Sequence, residues 1–169
     1  MSILHIKKLG DPVLKKKCKP VKEITPEIKQ LAADMLETMY AAPGVGLAAP
    51  QVGLPIRMVV IDVRHEGKRS PLVLVNPKIV SKNGKMVEEE GCLSLPGIVA
   101  NVKRYEDVTV EAVNEKGFPV SVSGKALLSK ALQHELDHLE GIVFIDHLSW
   151  LAKQKLMREI RKKRKLEGW

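Results

Sequence analysis

Gln133-His134-Glu135-Leu136-Asp137-His138-Leu139-Glu140-Gly141 decides how the rest of the chain is read. It contains His-Glu-x-x-His. On an α-helix, residues four apart lie one above the other on a single face. There His134 and His138 offer two imidazole nitrogens to one metal ion, and Glu135 sits beside the first of them, within reach of a water held at that ion. Two neutral nitrogen donors, a carboxylate base and an open metal position are what a metal-assisted hydrolase requires. The spacing has this meaning only if the stretch is helical. Upstream, Leu127, Leu128, Ala131, Leu132 and then Leu139 recur at helical spacing; Ser123 is placed to cap the start and Gly141 falls just past the end. The pattern predicts a helix over roughly 125–140, apolar enough to be buried with the metal inside the protein.

Two histidines leave a ligand to be found. Glu88-Glu89-Glu90-Gly91-Cys92-Leu93-Ser94-Leu95-Pro96-Gly97 holds a cysteine between Gly91 and the Pro96-Gly97 pair, which predicts a defined irregular conformation for Cys92. Cys18 stands in a lysine-rich segment without such support. The carboxylates of Glu88, Glu89, Glu90 and Asp137 compete with Cys92 for the role, although Asp137 is predicted to point away from the histidine face. His5, His65 and His147 read as ordinary solvated histidines.

Working outward, 169 residues make one domain, and 44% hydrophobic residues suffice for a core. No apolar run is long enough to span a bilayer, and the N-terminal residues lack the apolar segment of a signal peptide, so a cytoplasmic protein is expected. In that compartment the two cysteines are expected as thiols rather than as a disulfide. The net charge of +8 is uneven: from Leu151 to Trp169 the chain carries +6, leaving +2 for the other 150 residues. Residues 1–148 are therefore read as the catalytic body and 149–169 as a basic helix packed on it or extending from it. That helix is expected from Ser149 to about Leu166, with Leu148, Leu151, Leu156 and Ile160 on its inner side.

The segment up to Pro20 has no clear period and reads as loop or short turn structure. Thr25-Pro26-Glu27 announces a helix: a cap, a proline tolerated at the first position and an acid in the first turn. Ile28, Leu31, Ala32, Met35, Leu36 and Met39 give it one apolar face, and it is expected to end near Ala42. Gly44-Val45-Gly46-Leu47-Ala48-Ala49-Pro50-Gln51 matches a dinucleotide fingerprint in letters but follows a helix and meets Pro50, so that reading is rejected; a Gly-rich loop close to a ligand, or a packed turn, remains. Strands are predicted at Arg57–Val63, Leu72–Val75, Ile79–Val80, Val99–Arg104, around Val108–Ala112 and at Pro119–Val122, with Asn83-Gly84 as a hairpin turn. The fold class is α+β: antiparallel β-sheets packed around a central metal-binding helix, with an N-terminal helix and a C-terminal basic helix.

Three separated blocks, Gly44–Gln51, Glu90-Gly91-Cys92-Leu93-Ser94-Leu95-Pro96 and Gln133–His138, resemble the peptide deformylase family in order and over essentially the whole chain. The resemblance implies hydrolysis of the N-formyl group from the formyl-methionine of newly made polypeptides, with release of formate, by a monomer. It implies Cys92, His134 and His138 as metal ligands and Glu135 as general acid/base acting on a water at the metal. Gln51 and the Leu93 N–H become the oxyanion donors. Fe2+ is the metal expected from the family, with Zn2+, Ni2+ or Co2+ as substitutes; the donor set alone suits several. The peptide backbone is expected along an exposed strand or the Gly44–Gly46 loop, with Val45, Gly46, Gly91, Leu127 and Ala131 binding substrate and Leu128 a further candidate wall of the methionine pocket. Glu88 and Lys130 stand where the resemblance implies apolar neighbours, and Val99 where some members carry an arginine. Formyl-methionyl nascent chains are the expected partners, with ribosomal RNA contacted through the basic helix; neither membrane nor DNA is expected. The alternatives are a His-Glu-x-x-His metallopeptidase, or a ribosome- or RNA-binding module with a structural metal.

Overall fold

Met58-Val59-Val60-Ile61 has no polar position, and a strand turns alternate side chains to opposite faces. Such a run must be covered on both sides. The computed structural model, which describes residues 2–169, shows how. β2 (Met58–Ile61) packs Met58 and Val60 against Ala32, Met35 and Met39 of α1 (Pro26–Ala41), and Val59 and Ile61 against Ala131, Leu132, Leu136 and Leu139 of α2 (Ala126–Leu139). One strand thus separates two cores. Each fully buried aliphatic side chain stabilises the fold by roughly 1.5–3 kcal/mol relative to exposure, so these layers hold the sheet between the helices.

The α+β architecture is the one expected. An antiparallel five-stranded sheet runs in the order β1 (Gly46–Ala48), β2, β3 (Leu72–Asn83), β6 (Asp107–Val113), β7 (Pro119–Lys125); β4 (Met86–Cys92) and β5 (Leu95–Arg104) form a separate antiparallel pair. A third core joins Leu95, Ile98 and Val102 of β5 to Phe144, Ile145 and Ile160, the last from α3 (Trp150–Glu167). Thr25 caps α1 as expected, its hydroxyl accepting the Ile28 N–H at 3.2 Å. Ser149 does the same for α3 with Ala152 at 3.3 Å.

Several local readings differ. Ser123 does not cap α2: β7 stays paired with β6 through Lys125, the Ser123 hydroxyl meets that of Thr109 at 2.9 Å, and the helix starts straight from the strand. The junction is made by Ala126 at φ 50°, a conformation that costs an L-residue roughly 1–2 kcal/mol. Asn83-Gly84 turns the chain without making a hairpin, because β3 continues into the large sheet while β4 enters the small one. Asn76-Pro77 does not end β3 but bulges it, with Asn76 at φ 52° and its side chain tied to the backbone of Val21. The Gly-rich stretch forms a three-residue strand, β1, instead of a loop. Met86–Cys92, where no strand was predicted, is strand β4, and Cys92, expected to be irregular, ends it beside a register shift between Gly91 and Cys92. Leu151 is 75% exposed rather than facing inward. It lies nine residues from buried Ile160, half a turn out of phase at 100° per residue, and the inner face is Leu156, Met157 and Ile160.

No helix among the described residues is long and apolar enough to cross a membrane.

Candidate metal centre

α2 emerges between the two sheets and carries Leu127, Lys130, Ala131 and His134 at i, i+3, i+4 and i+7, one stripe facing a cleft of about 370 Å³. Across that cleft stand β1 and β4. Cys92 is the last residue of β4, just before the Leu93-Ser94 turn into β5. The Sγ of Cys92 and one ring nitrogen from each of His134 and His138 lie within 4.8 Å of one another, and Cys92 Sγ is 3.4 Å from His138 Nε2. Donors at ~2.0–2.3 Å from a tetrahedral ion stand roughly 3.3–3.8 Å apart, so the spacing fits one cation shared by all three.

The tautomers agree with that fit. His134 Nδ1 is 2.9 Å from Glu90 Oε1, so it carries the proton and leaves Nε2 to donate its lone pair. Glu90 is itself gripped by Arg104 through two parallel bonds of 2.7 and 2.8 Å. Burial works against the Glu90 charge, but hydrogen bonds from Arg104 and His134 outweigh it and hold the carboxyl down at about 2. Arg104 continues to Asp137 at 2.6 Å, and Asp137 to His147 at 2.7 Å. Asp137 therefore points away from the histidine face, as its position predicts. Glu90 thus stands behind His134, outside the group of three converging donors, and Phe144 stacks on the His134 ring at 6.1 Å. His138 Nδ1 is buried without a partner among the described residues. Burial keeps the His138 pKa well below the ordinary histidine range, which favours the neutral ring.

Glu135 is buried, and its Oε1 has no partner among the described residues. Burial pushes its pKa up to about 7 against the opposing effect of His134. It lies against Gly46 so closely that a Cβ there would stand 2.5 Å from Glu135 Oε2. Gln51 has its orientation imposed by the backbone. The Ala48 N–H can only donate, and it bonds Gln51 Oε1 at 2.9 Å, so the Gln51 amide NH2 must face Cys92 Sγ at 3.5 Å and Ser94 Oγ at 3.1 Å. An N–H donor is thereby aimed at the thiol end of the cluster.

Val45, Gly46, Gln51, Gly91, Leu93, Leu127, Ala131, His134 and Glu135 all line the cleft. Leu128 does not; it packs under Gly124, in the core behind α2. Glu88 and Lys130 pair at 3.3 Å, and Lys130 Nζ also donates to the Glu89 carbonyl at 3.2 Å. That contact shows the Glu89 carbonyl turned from β5 toward the cleft. Groups two residues along a strand point the same way, so Gly91 presents its backbone there too. The sequence reading missed Ser94, Arg104 and the support role of Glu90. An arginine near carboxylates in sequence carries no signal of its own; only folding brings Arg104 between Glu90 and Asp137. Cys18 is buried in the core behind α2, where burial raises its thiol pKa.

Comparison with known proteins adds an independent line. Residues 3–154 match the family described as polypeptide deformylase. A peptide deformylase from Endomicrobium trichonymphae is 47% identical over 169 residues, covering all of both chains. The crystal structure of a peptide deformylase from Legionella pneumophila is 44% identical, with 99% and 98% of the two chains covered and a TM-score of 0.93. That of the Ehrlichia chaffeensis enzyme in complex with actinonin is 35% identical, with 96% and 98% covered and a TM-score of 0.91.

Proposed function

The chain belongs to the peptide deformylase family and is a hydrolase of that kind; from that premise we propose that it removes the formyl group from the formyl-methionine of nascent polypeptides. The observation that carries the reading is the Cys92-His134-His138 donor set opening into the cleft beside Glu135.

Cys92, His134 and His138 would hold a divalent cation, Fe2+ by family likeness, with Zn2+, Ni2+ or Co2+ as substitutes. Bound there, the ion supplies Lewis acidity and lowers the pKa of water from ~15.7 toward ~7. Glu135 takes the proton from the attacking water and returns it to the leaving amine, and its pKa near 7 suits both directions. The Gln51 amide and the Leu93 N–H, beside the same turn, donate to the oxyanion as the formyl carbon becomes tetrahedral. The formyl carbonyl is small and unhindered, so the weaker Lewis acidity that a Cys92 thiolate would leave at this site would be sufficient.

Gly91 pairs with the substrate backbone at the open side of β4, and Gly46 leaves room for it on the β1 side. Main-chain pairing reads an extended peptide without reading its sequence. Val45, Leu127 and Ala131 hold the methionine side chain. Replacing Gly46 with alanine puts a methyl group into Glu135. The expected result is a fall in kcat/KM of roughly tenfold to 100-fold with metal content unchanged, because a misplacement of ~1 Å at the acid/base is enough. Unchanged turnover would show that the strand shifts freely away.

α3 presents Lys155, Arg158, Arg161, Lys162 and Lys165 to solvent while Ile160 anchors it in the body. These charges support docking on ribosomal RNA through phosphates. Changing all five to glutamine, which keeps the anchoring face, is expected to weaken ribosome binding and flatten its salt dependence by about 0.7–0.9 per lost contact in log–log slope. Equal slopes for the two proteins would remove the RNA reading. For the activity itself, formate release from formyl-Met-Ala is measured beside elemental analysis of anaerobically purified protein. Cleavage of an internal peptide bond with formyl-Met-Ala left intact would favour a metallopeptidase instead.

A further inference from the structure

Lys130 is the only lysine or arginine among the residues lining the cleft. It stands on the same α2 stripe as His134, four residues earlier, which is about 6 Å along the helix axis. An extended methionine side chain spans a comparable length, so one that starts beside the reacting centre ends beside Lys130. The lysine side chain is only 19% exposed. Its ammonium is fixed by two acceptors, the Glu89 carbonyl at 3.2 Å and Glu88 Oε2 at 3.3 Å, both on β4. An ammonium has three donors, so one N–H remains. The side walls near it, Leu127 and Ala131, are apolar.

The end of the side-chain pocket therefore has two characters: a lysine stem that accepts an apolar thioether, and one fixed donor at its tip. Resting on the deformylase reading above, we propose that Lys130 is a specificity-determining residue whose spare N–H binds an acceptor at the end of the first side chain. The chain then deformylates polypeptides whose initiating methionine has been oxidised to the sulfoxide, as well as unoxidised ones. The sulfoxide oxygen is a strong acceptor on an otherwise similar chain. A wholly apolar end wall strips water from that oxygen and returns nothing, the general cost of burying an unpaired acceptor. Lys130 returns a charge-assisted bond, while Glu88 keeps the ammonium neutralised so that methionine itself is not refused. The hydrolysis is unchanged; only the passenger side chain differs.

The test compares kcat/KM for formyl-Met-Ala-Ser and formyl-Met-sulfoxide-Ala-Ser, using the metal-replete full chain and its Lys130→Met and Lys130→Arg variants. The readout is the ratio of the two substrates within each protein, so any general loss of folded or metal-loaded enzyme cancels. The ratio is expected within about threefold of one in the parent, to fall about tenfold in Lys130→Met, and to return in Lys130→Arg. A parent that refuses the sulfoxide, or a ratio that Lys130→Met leaves unchanged, overturns the proposal while formate from the unoxidised peptide leaves the deformylase reading standing. No formate from either substrate removes both.

Discussion

Cys92→Ala is expected to lose bound metal and formate release together, while Cys18→Ala keeps both. The asymmetry follows from where the two thiols sit. Cys92 is the only sulfur in the donor cluster; without it two imidazoles remain, 5.1 Å apart between ring centroids, and no third atom replaces the sulfur. The nearest carboxylate behind the cluster, Glu90, is bound to Arg104 and His134 and is not free to move in. Changes to partners behind a metal ligand already cost ~10–100-fold in affinity, so loss of the ligand itself should exceed about 100-fold. Cys18 fills space in the core behind α2 and touches no donor, so its truncation costs stability, about 1 kcal/mol for a small side chain, and nothing in metal content. Elemental analysis and activity on the same three preparations decide the matter. A metal-loaded, active Cys92→Ala protein would mean that the ion is held by other atoms.

The elements around the donor cluster are legible in the sequence to different degrees. The α2 helix was readable because its apolar spacing and the histidine pair share one period, and α1 because a cap, a proline and an acid stand in order. The neighbours of those helices were harder. β4 contains Glu88-Glu89-Glu90 and looks solvated, since its partners are a single strand on one side and a cleft on the other. Periodicity detects burial, and an edge strand beside an open site has little. Asn83-Gly84 misled for a related reason: turn residues report local backbone geometry, whereas pairing of the flanking strands depends on what else each can reach. The position of Cys92 near the histidines rests on the β4–β5 turn and on Leu95 and Ile98 packing into the third core. Those are contacts between segments far apart in the chain, which no local pattern encodes. Arg104 is the clearest case. Its charge lies buried between two carboxylates contributed by β4 and α2, a placement that only the assembled fold makes tolerable.

Glu135→Ala is expected to keep its metal and lose at least about 100-fold in kcat, the lower end of what a positioned general acid/base contributes. Retention of metal follows because Glu135 is not one of the three converging donors. Loss of turnover is expected because, of the three carboxylates that line the cleft among the described residues, Glu135 is the one left without a partner on Oε1 beside the donors. Glu90 is held down at about 2 by Arg104 and His134, and so is a poor base near neutrality. Glu89 and Lys130 lie further along the cleft wall. The burial of Glu135 and the glycine pressed against it leave the carboxylate few alternative positions, so its contribution is fixed in place rather than sampled. Alanine also opens a hole, so Glu135→Gln is the stricter companion: it keeps the volume and the metal ligands but cannot accept the proton. Both variants are assayed after metal loading is measured, and kcat is reported per bound ion. If Glu135→Gln turns over at close to the parent rate with a full complement of metal, proton transfer runs through some other group and the assigned chemistry is wrong. If instead it loses metal, Glu135 is a ligand and the three-donor description fails.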